Sequence, residues 1–182
     1  MGLFAGAIVI MFLFHSRINK KTYIASVIML IIIVAGLTFS PIRQRFFSIF
    51  DVSEGSNQAR IETWKESLAV ISNNPLGVGI GNYPLEIKPS ADYREPIYSH
   101  NLYMDIAAES GILNMLVWIS LIIFSCFGYF KKYRQNLFYG AGLVSLAIFS
   151  VHSLFETALF SIQVLPLIVI LIAISNSYEQ SK

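Results

Sequence analysis

Cysteine is almost missing from this chain. Cys126 stands alone inside an apolar run, so neither a disulfide framework nor a cysteine-ligated metal site can form within the molecule. Charge is scarce as well: 13% of the 182 residues are Asp, Glu, Lys or Arg and 55% are hydrophobic, against ~25% charged in soluble domains. That balance describes a membrane protein. A net charge of +2, carried by scattered basic residues, excludes a nucleic-acid footprint. The three histidines lie in three separate segments with no ligand spacing, so no metal site is expected. Asp-x-Asp and a serine nucleophile elbow are both lacking, which leaves a soluble nucleotide-sugar donor and a serine hydrolase unsupported. Met1 to Phe14 has no basic residue before its apolar run and no small-residue cleavage site after it, so it reads as a short span rather than a signal peptide.

Long apolar runs are what the chain has in abundance. A span needs ~20 apolar residues, and Thr22 to Ser40, Gly111 to Phe130, Leu137 to about Thr157 and about Leu159 to Ser175 fit, with the shorter Gly2 to Phe14 making five. Two small basic loops, one with Arg17, Lys20 and Lys21, the other with Lys131, Lys132 and Arg134, go to the cytoplasm by the positive-inside rule. The expected fold is therefore all-α, a polytopic bundle of about five spans with a long, partly helical extracytoplasmic loop. Its divisions are residues 1–40, two membrane segments; 41–110, the outer loop; and 111–182, three spans with a short cytoplasmic tail.

The outer loop far exceeds the ~12–15 residues at which unstructured loops become uncommon. Ser56 or Asn57 can cap a helix running to about Ser72, with Ile61, Trp64, Leu68 and Ile71 as its apolar stripe and Asn73, Asn74 and Pro75 ending it. "PLGVGIGNYP" follows. The spacing of Gly77, Gly79 and Gly81 matches neither the dinucleotide fingerprint nor the Walker loop, so it reads as an irregular connection needing positive φ or close backbone approach.

The polar residues cluster in "SHNLYMDIAAESGIL". Taken as a helix from its start, this stretch puts His100, Met104, Ala107 and Gly111 on one face and Asn101, Asp105 and Glu109 on an adjacent stripe. Asp105 is expected at the water and headgroup interface; for His100 and Glu109, interfacial and chemical roles stand side by side. A histidine at the outer surface can take a proton from a hydroxyl nucleophile. Arg60, in the first turn of the loop helix, would reinforce an anion site at free N–H groups and suits a diphosphate. Arg43, Arg45, Lys65, Lys88 and Arg94 lie on a face where basic residues are disfavoured, which anionic headgroups or an anionic donor would explain. Trp64, Tyr83, Tyr93, Tyr98 and Tyr103 can stack on sugar rings or join an interfacial aromatic belt. His152 and Glu156, four residues apart, are expected to pair on one helix face or to serve chemistry.

Together these residues resemble the O-antigen ligase and polymerase superfamily of bacterial membrane glycosyltransferases. The family pattern of His, then Asn, Ser or Gln, then nine residues, then Gly is matched by His100, Asn101 and Gly111, with Glu109 two before the glycine. Upstream, Arg60, Trp64 and "NPLGVGIGNY" resemble the family's Arg, Trp and glycine-rich segment, so the likeness covers most of Arg60 to Leu116. Asn114 departs from the Gly, Thr or Tyr more usual there. The resemblance implies transfer of a glycan from a polyprenyl-diphosphate carrier to an acceptor hydroxyl outside the bacterial cytoplasmic membrane, with no metal and no cofactor. It implies catalytic roles for His100, Arg60 and Glu109, and substrate contacts by Asn101, Trp64, Tyr103 and Arg94. The family has more spans than five, and often a Ser-Arg-Gly where Met1-Gly2 stands, so the chain is expected to be the C-terminal portion of a longer enzyme or a truncated member. A transporter component binding an anionic lipid and a non-catalytic truncated family member are the competing readings.

Overall fold

The computed structural model describes residue 40 and residues 55–88 and 98–175. The expected spans Gly2 to Phe14 and Thr22 to Ser40 fall almost wholly outside them, as do Arg43, Arg45, Tyr93, Arg94 and the C-terminal tail. Described residues up to Glu62 belong to one compact unit and those from Thr63 onward to another.

All the regular structure among the described residues is helical. In chain order it comprises α1 (Gly55–Asn73), α2 (Tyr83–Ile87), α3 (Leu102–Ser110), α4 (Ile112–Lys132), α5 (Leu137–His152), a 3-10 turn (Ala158–Phe160) and α6 (Val164–Ser175). α4 is 21 residues long and largely unburied within the protein, which makes it long and apolar enough to cross a membrane. Lys131 and Lys132 close its last turn, where the helix dipole favours cations. α5 and α6 are shorter than the apolar runs that contain them. They have 16 and 12 residues, so neither alone reaches the ~20 residues of a full crossing. The run from Leu137 breaks at His152 because the residues after it turn away from the helix, and Ser153, Glu156 and Thr157 face partners described below.

α4 packs against both shorter helices. Tyr129 of α4 is buried and donates its hydroxyl to Leu171 O of α6 at 2.7 Å, while its ring lies against Gly142 of α5. A Cβ at Gly142 would come within 2.5 Å of that ring, so the glycine sets the approach of α5 to α4.

A second packed region supports α3. Val70 of α1, Tyr83 of α2 and Ala108 of α3 form a buried cluster with Ile71, Val78 and Ile87 against it. Here the stripe expected on α1 shifts: Ser67 and Val70 are buried, whereas Leu68 is 54% exposed. Ser67 turns inward because Tyr83 presents a buried hydroxyl to it. Since Ser67 Oγ donates to Thr63 O at 2.7 Å, the Tyr83 hydroxyl is the donor to Ser67.

The glycine connection has the conformation expected of it. Gly77, Gly79 and Gly81 all have positive φ. At Gly77 the need is also steric, because a Cβ would lie 2.5 Å from Glu109 O and 2.6 Å from Gly111 N. The loop backbone therefore lies directly on the α3–α4 junction, with Val78 N–H donating to Ala108 O, Gly79 N–H to Glu109 O and Ile112 N–H to Pro75 O, at 2.9, 2.9 and 3.0 Å. Gly111, at φ 96° and ψ 159°, occupies a region essentially restricted to glycine and makes the corner between α3 and α4.

Candidate functional site

The site begins with a helix cap. The Asn101 side-chain oxygen accepts from Tyr103 N–H at 3.0 Å and Met104 N–H at 3.2 Å, satisfying two of the free donors of α3. The helix therefore starts at Leu102, and His100 is not on its face as the sequence suggested. His100 lies one residue before the cap at φ 54°, a left-handed conformation that histidine enters more readily than most residues.

Ser99 pins that turn. Its amide donates to Asp105 Oδ1 at 2.9 Å, its hydroxyl donates to Asn101 O at 2.9 Å, and its carbonyl accepts from Trp64 Nε1 at 2.9 Å. With Ser99 buried and anchored, His100 points outward. Its Nδ1 lies 3.3 Å from Glu156 Oε2, with the two side chains 49% and 43% exposed. Glu156 lies just after the turn that follows α5, beyond the helix that ends at His152, and faces His100. Thr157 Oγ1 donates to Asp105 Oδ2 at 2.6 Å, and Leu102 N–H donates to Ser153 O at 2.9 Å, so the turns carrying His100 and Glu156 are tied together.

Asp105 is the second correction. It is 1% exposed, not an interfacial carboxylate, because both its oxygens take hydrogen bonds from turns on either side.

Around the His100–Glu156 pair lies a cleft of about 380 Å³ lined by Tyr98, His100, His152, Glu156, Thr157 and Ala158. A carboxylate at Nδ1 favours the tautomer protonated there and leaves the lone pair on Nε2. That is the arrangement of a general base for a hydroxyl. Two apolar grooves of about 650 and 700 Å³ run nearby and share Tyr103, Ile119, Ser150 and Val151, so apolar space continues from α3 along α4 and α5.

The other expected site residues divide. Trp64 is half-buried beside Phe155 with ring centroids 6.4 Å apart, and its N–H holds the turn before His100. Tyr103 donates its hydroxyl to Ser150 O at 3.0 Å and borders both grooves. Asn101 is buried as the cap. Glu109 lies at the opposite end of α3, about 12 Å along the axis from Asn101 at 1.5 Å per residue, and so is not gathered into the cleft. Burial pushes its carboxyl above the ordinary range, opposed by a hydrogen bond from Gly81 N–H. Helix α1 is already formed at Gly55, which puts Arg60 in its second turn rather than among the first free N–H groups. Arg94 falls outside the described residues.

A profile of the O-antigen ligase family matches residues 1–119. The chain belongs to the O-antigen ligase family. Its match takes in Arg60, Trp64, His100, Asn101, Glu109 and Gly111 and ends before Glu156. No curated protein and no solved structure matches the chain. Membership gives this O-antigen ligase family chain a function of the O-antigen ligase or polymerase type, broadly on lipid-linked glycans, in association with a bacterial membrane.

Proposed function

We propose that the protein is a membrane glycosyltransferase that moves a glycan from a polyprenyl-diphosphate carrier to an acceptor hydroxyl on the outer side of the cytoplasmic membrane. The observation that carries the reading is the His100 Nδ1 to Glu156 Oε2 contact in a cleft that both residues line, within a chain of this family. His100 Nε2 removes the acceptor proton as the acceptor oxygen bonds to the anomeric carbon. The bond from that carbon to the diphosphate oxygen breaks, and the carrier diphosphate leaves with the electron pair. Glu156 stabilises the imidazolium formed.

Arg60 is assigned to the charge developing on the diphosphate, on family resemblance alone. Trp64 and Tyr103 have committed their polar atoms, so they would meet substrate through their rings. Asn101 orders the His100 turn from its capping position, Arg94 is assigned to the anionic donor, and Glu109 acts through the glycine loop it contacts. The apolar grooves along α4 and α5 offer space for the carrier's hydrocarbon. Topologically, residues 41–110 form the outward loop between membrane segments in 1–40 and 111–182, with the chain crossing several times.

Complementation tests the reading. In bacteria lacking their own enzyme of this type, the chain is expected to restore glycan transfer, and His100→Ala and Arg60→Ala are expected to abolish it at unchanged protein level. Transfer unaffected by either substitution would remove the site assignment.

A further inference from the structure

Asp105 is a buried carboxylate that the proposed reaction leaves without a task. Its two oxygens are used on two different segments: Oδ1 accepts from the amide of Ser99, the residue before His100, and Oδ2 from the hydroxyl of Thr157, the residue after Glu156. Each bond therefore falls one residue from a member of the His100–Glu156 pair.

Two facts make this placement consequential. His100 is held at φ 54°, uncommon for a residue other than glycine, in a turn pinned through Ser99. And Glu156 lies beyond the backbone-bonded turn that ends α5, where the neighbouring Thr157 makes its side-chain bond to Asp105. Charge-assisted bonds to a buried carboxylate are stronger than neutral ones, and neither partner is replaced by water at a residue 1% exposed.

We infer that Asp105 is a positioning residue, which sets the spacing of His100 and Glu156 by holding Ser99 and Thr157 at once. The inference rests on His100 acting as the base for its catalytic consequence, but its geometric part does not. Thr157 is the point at which to test it, because Thr157→Val removes only the hydroxyl while keeping the shape, and Thr157→Ser keeps the hydroxyl. Asp105→Ala removes both bonds but can impair folding.

The experiment uses the full chain in detergent with 15N-labelled histidine. Only three histidines are present, so the His100 ring signals are assigned by their loss in His100→Gln. At one fixed pH, Thr157→Val is expected to move the His100 Nδ1 signal to the position found in Glu156→Gln, and Thr157→Ser to leave it as in the wild type. With undecaprenyl-diphosphate-linked glycan as donor, Thr157→Val is expected to lower kcat by roughly 10- to 100-fold with KM unchanged, and Thr157→Ser to restore it. A His100 signal unmoved by Thr157→Val would overturn the inference whatever the activity, as would a Thr157→Ser variant as impaired as Thr157→Val. Movement of the signal in a chain with no transfer at all would support the strap while rejecting the transferase reading.

Discussion

His100 and Glu156, 56 residues apart in sequence, meet at 3.3 Å between Nδ1 and Oε2. An exposed ion pair of this kind contributes little to stability, ~0–1 kcal/mol. Its consequence is chemical: it orients the imidazole. Glu156→Gln is accordingly expected to leave thermal stability nearly unchanged while lowering kcat, and His100→Gln to lower it by roughly 100- to 10,000-fold, the usual worth of a general base. Initial rates with a fixed donor and purified variants check both.

Glu109 carries a pH-dependent destabilisation. Burial raises its folded carboxyl above the ordinary value of 4.5, with the Gly81 N–H opposing. The protonated form is thus favoured on folding. Stability from this group is fully present below its unfolded value and is lost as pH rises through the folded one. Glu109→Gln should therefore match the wild type in acid and exceed it at neutral pH, measured as Tm at pH 4 and pH 7 in the same detergent.

Tyr83 gives a second titration at the alkaline end. Burial pushes its phenol from 10.0 up to about 12. The unfolded chain loses this proton first, so stability falls as pH climbs from about 10 to about 12 and is then constant. Tyr83→Phe should abolish that fall and cost about 1 kcal/mol at neutral pH through the lost bond to Ser67. Denaturant unfolding at both pH values checks it.

Gly77 and Gly111 meet back to back where the loop crosses the α3–α4 corner. Either glycine replaced by alanine adds a Cβ within 3 Å of backbone and forces a left-handed conformation. Each is expected to destabilise by at least ~2 kcal/mol, seen as a lower Tm and faster proteolysis, whereas Gly142→Ala should instead separate α5 from α4.

Much of this was legible in the sequence. Helix α1, the glycine connection and the apolar α4 follow from local signals: the Asn73-Asn74-Pro75 stop, Gly spacing and run length, although α1 already includes Ser56 and Asn57 rather than starting after them. The family motif marked His100, Asn101 and Gly111. What local pattern could not supply was the partner of each polar group. Period-based reading put Asp105 on a wet stripe because its ligands, Ser99 N–H and Thr157 Oγ1, come from a turn before the helix and a turn 52 residues later. The four-residue spacing of His152 and Glu156 sets them on one helix face only if α5 continues, and it ends at His152. Asn101 as a cap, with Asp105 in the first turn of α3, was the available signal that the helix starts after His100.

The most direct test is transfer by the purified chain in lipid vesicles, from undecaprenyl-diphosphate-linked glycan to a hydroxyl-bearing lipid acceptor, with wild type, His100→Gln and Glu156→Gln compared at equal protein. Formation of the glycosylated acceptor by the wild type, lost in His100→Gln and reduced in Glu156→Gln, is the expected result. Equal product with all three proteins, or donor bound and moved across the bilayer with no new glycosidic bond, would contradict it.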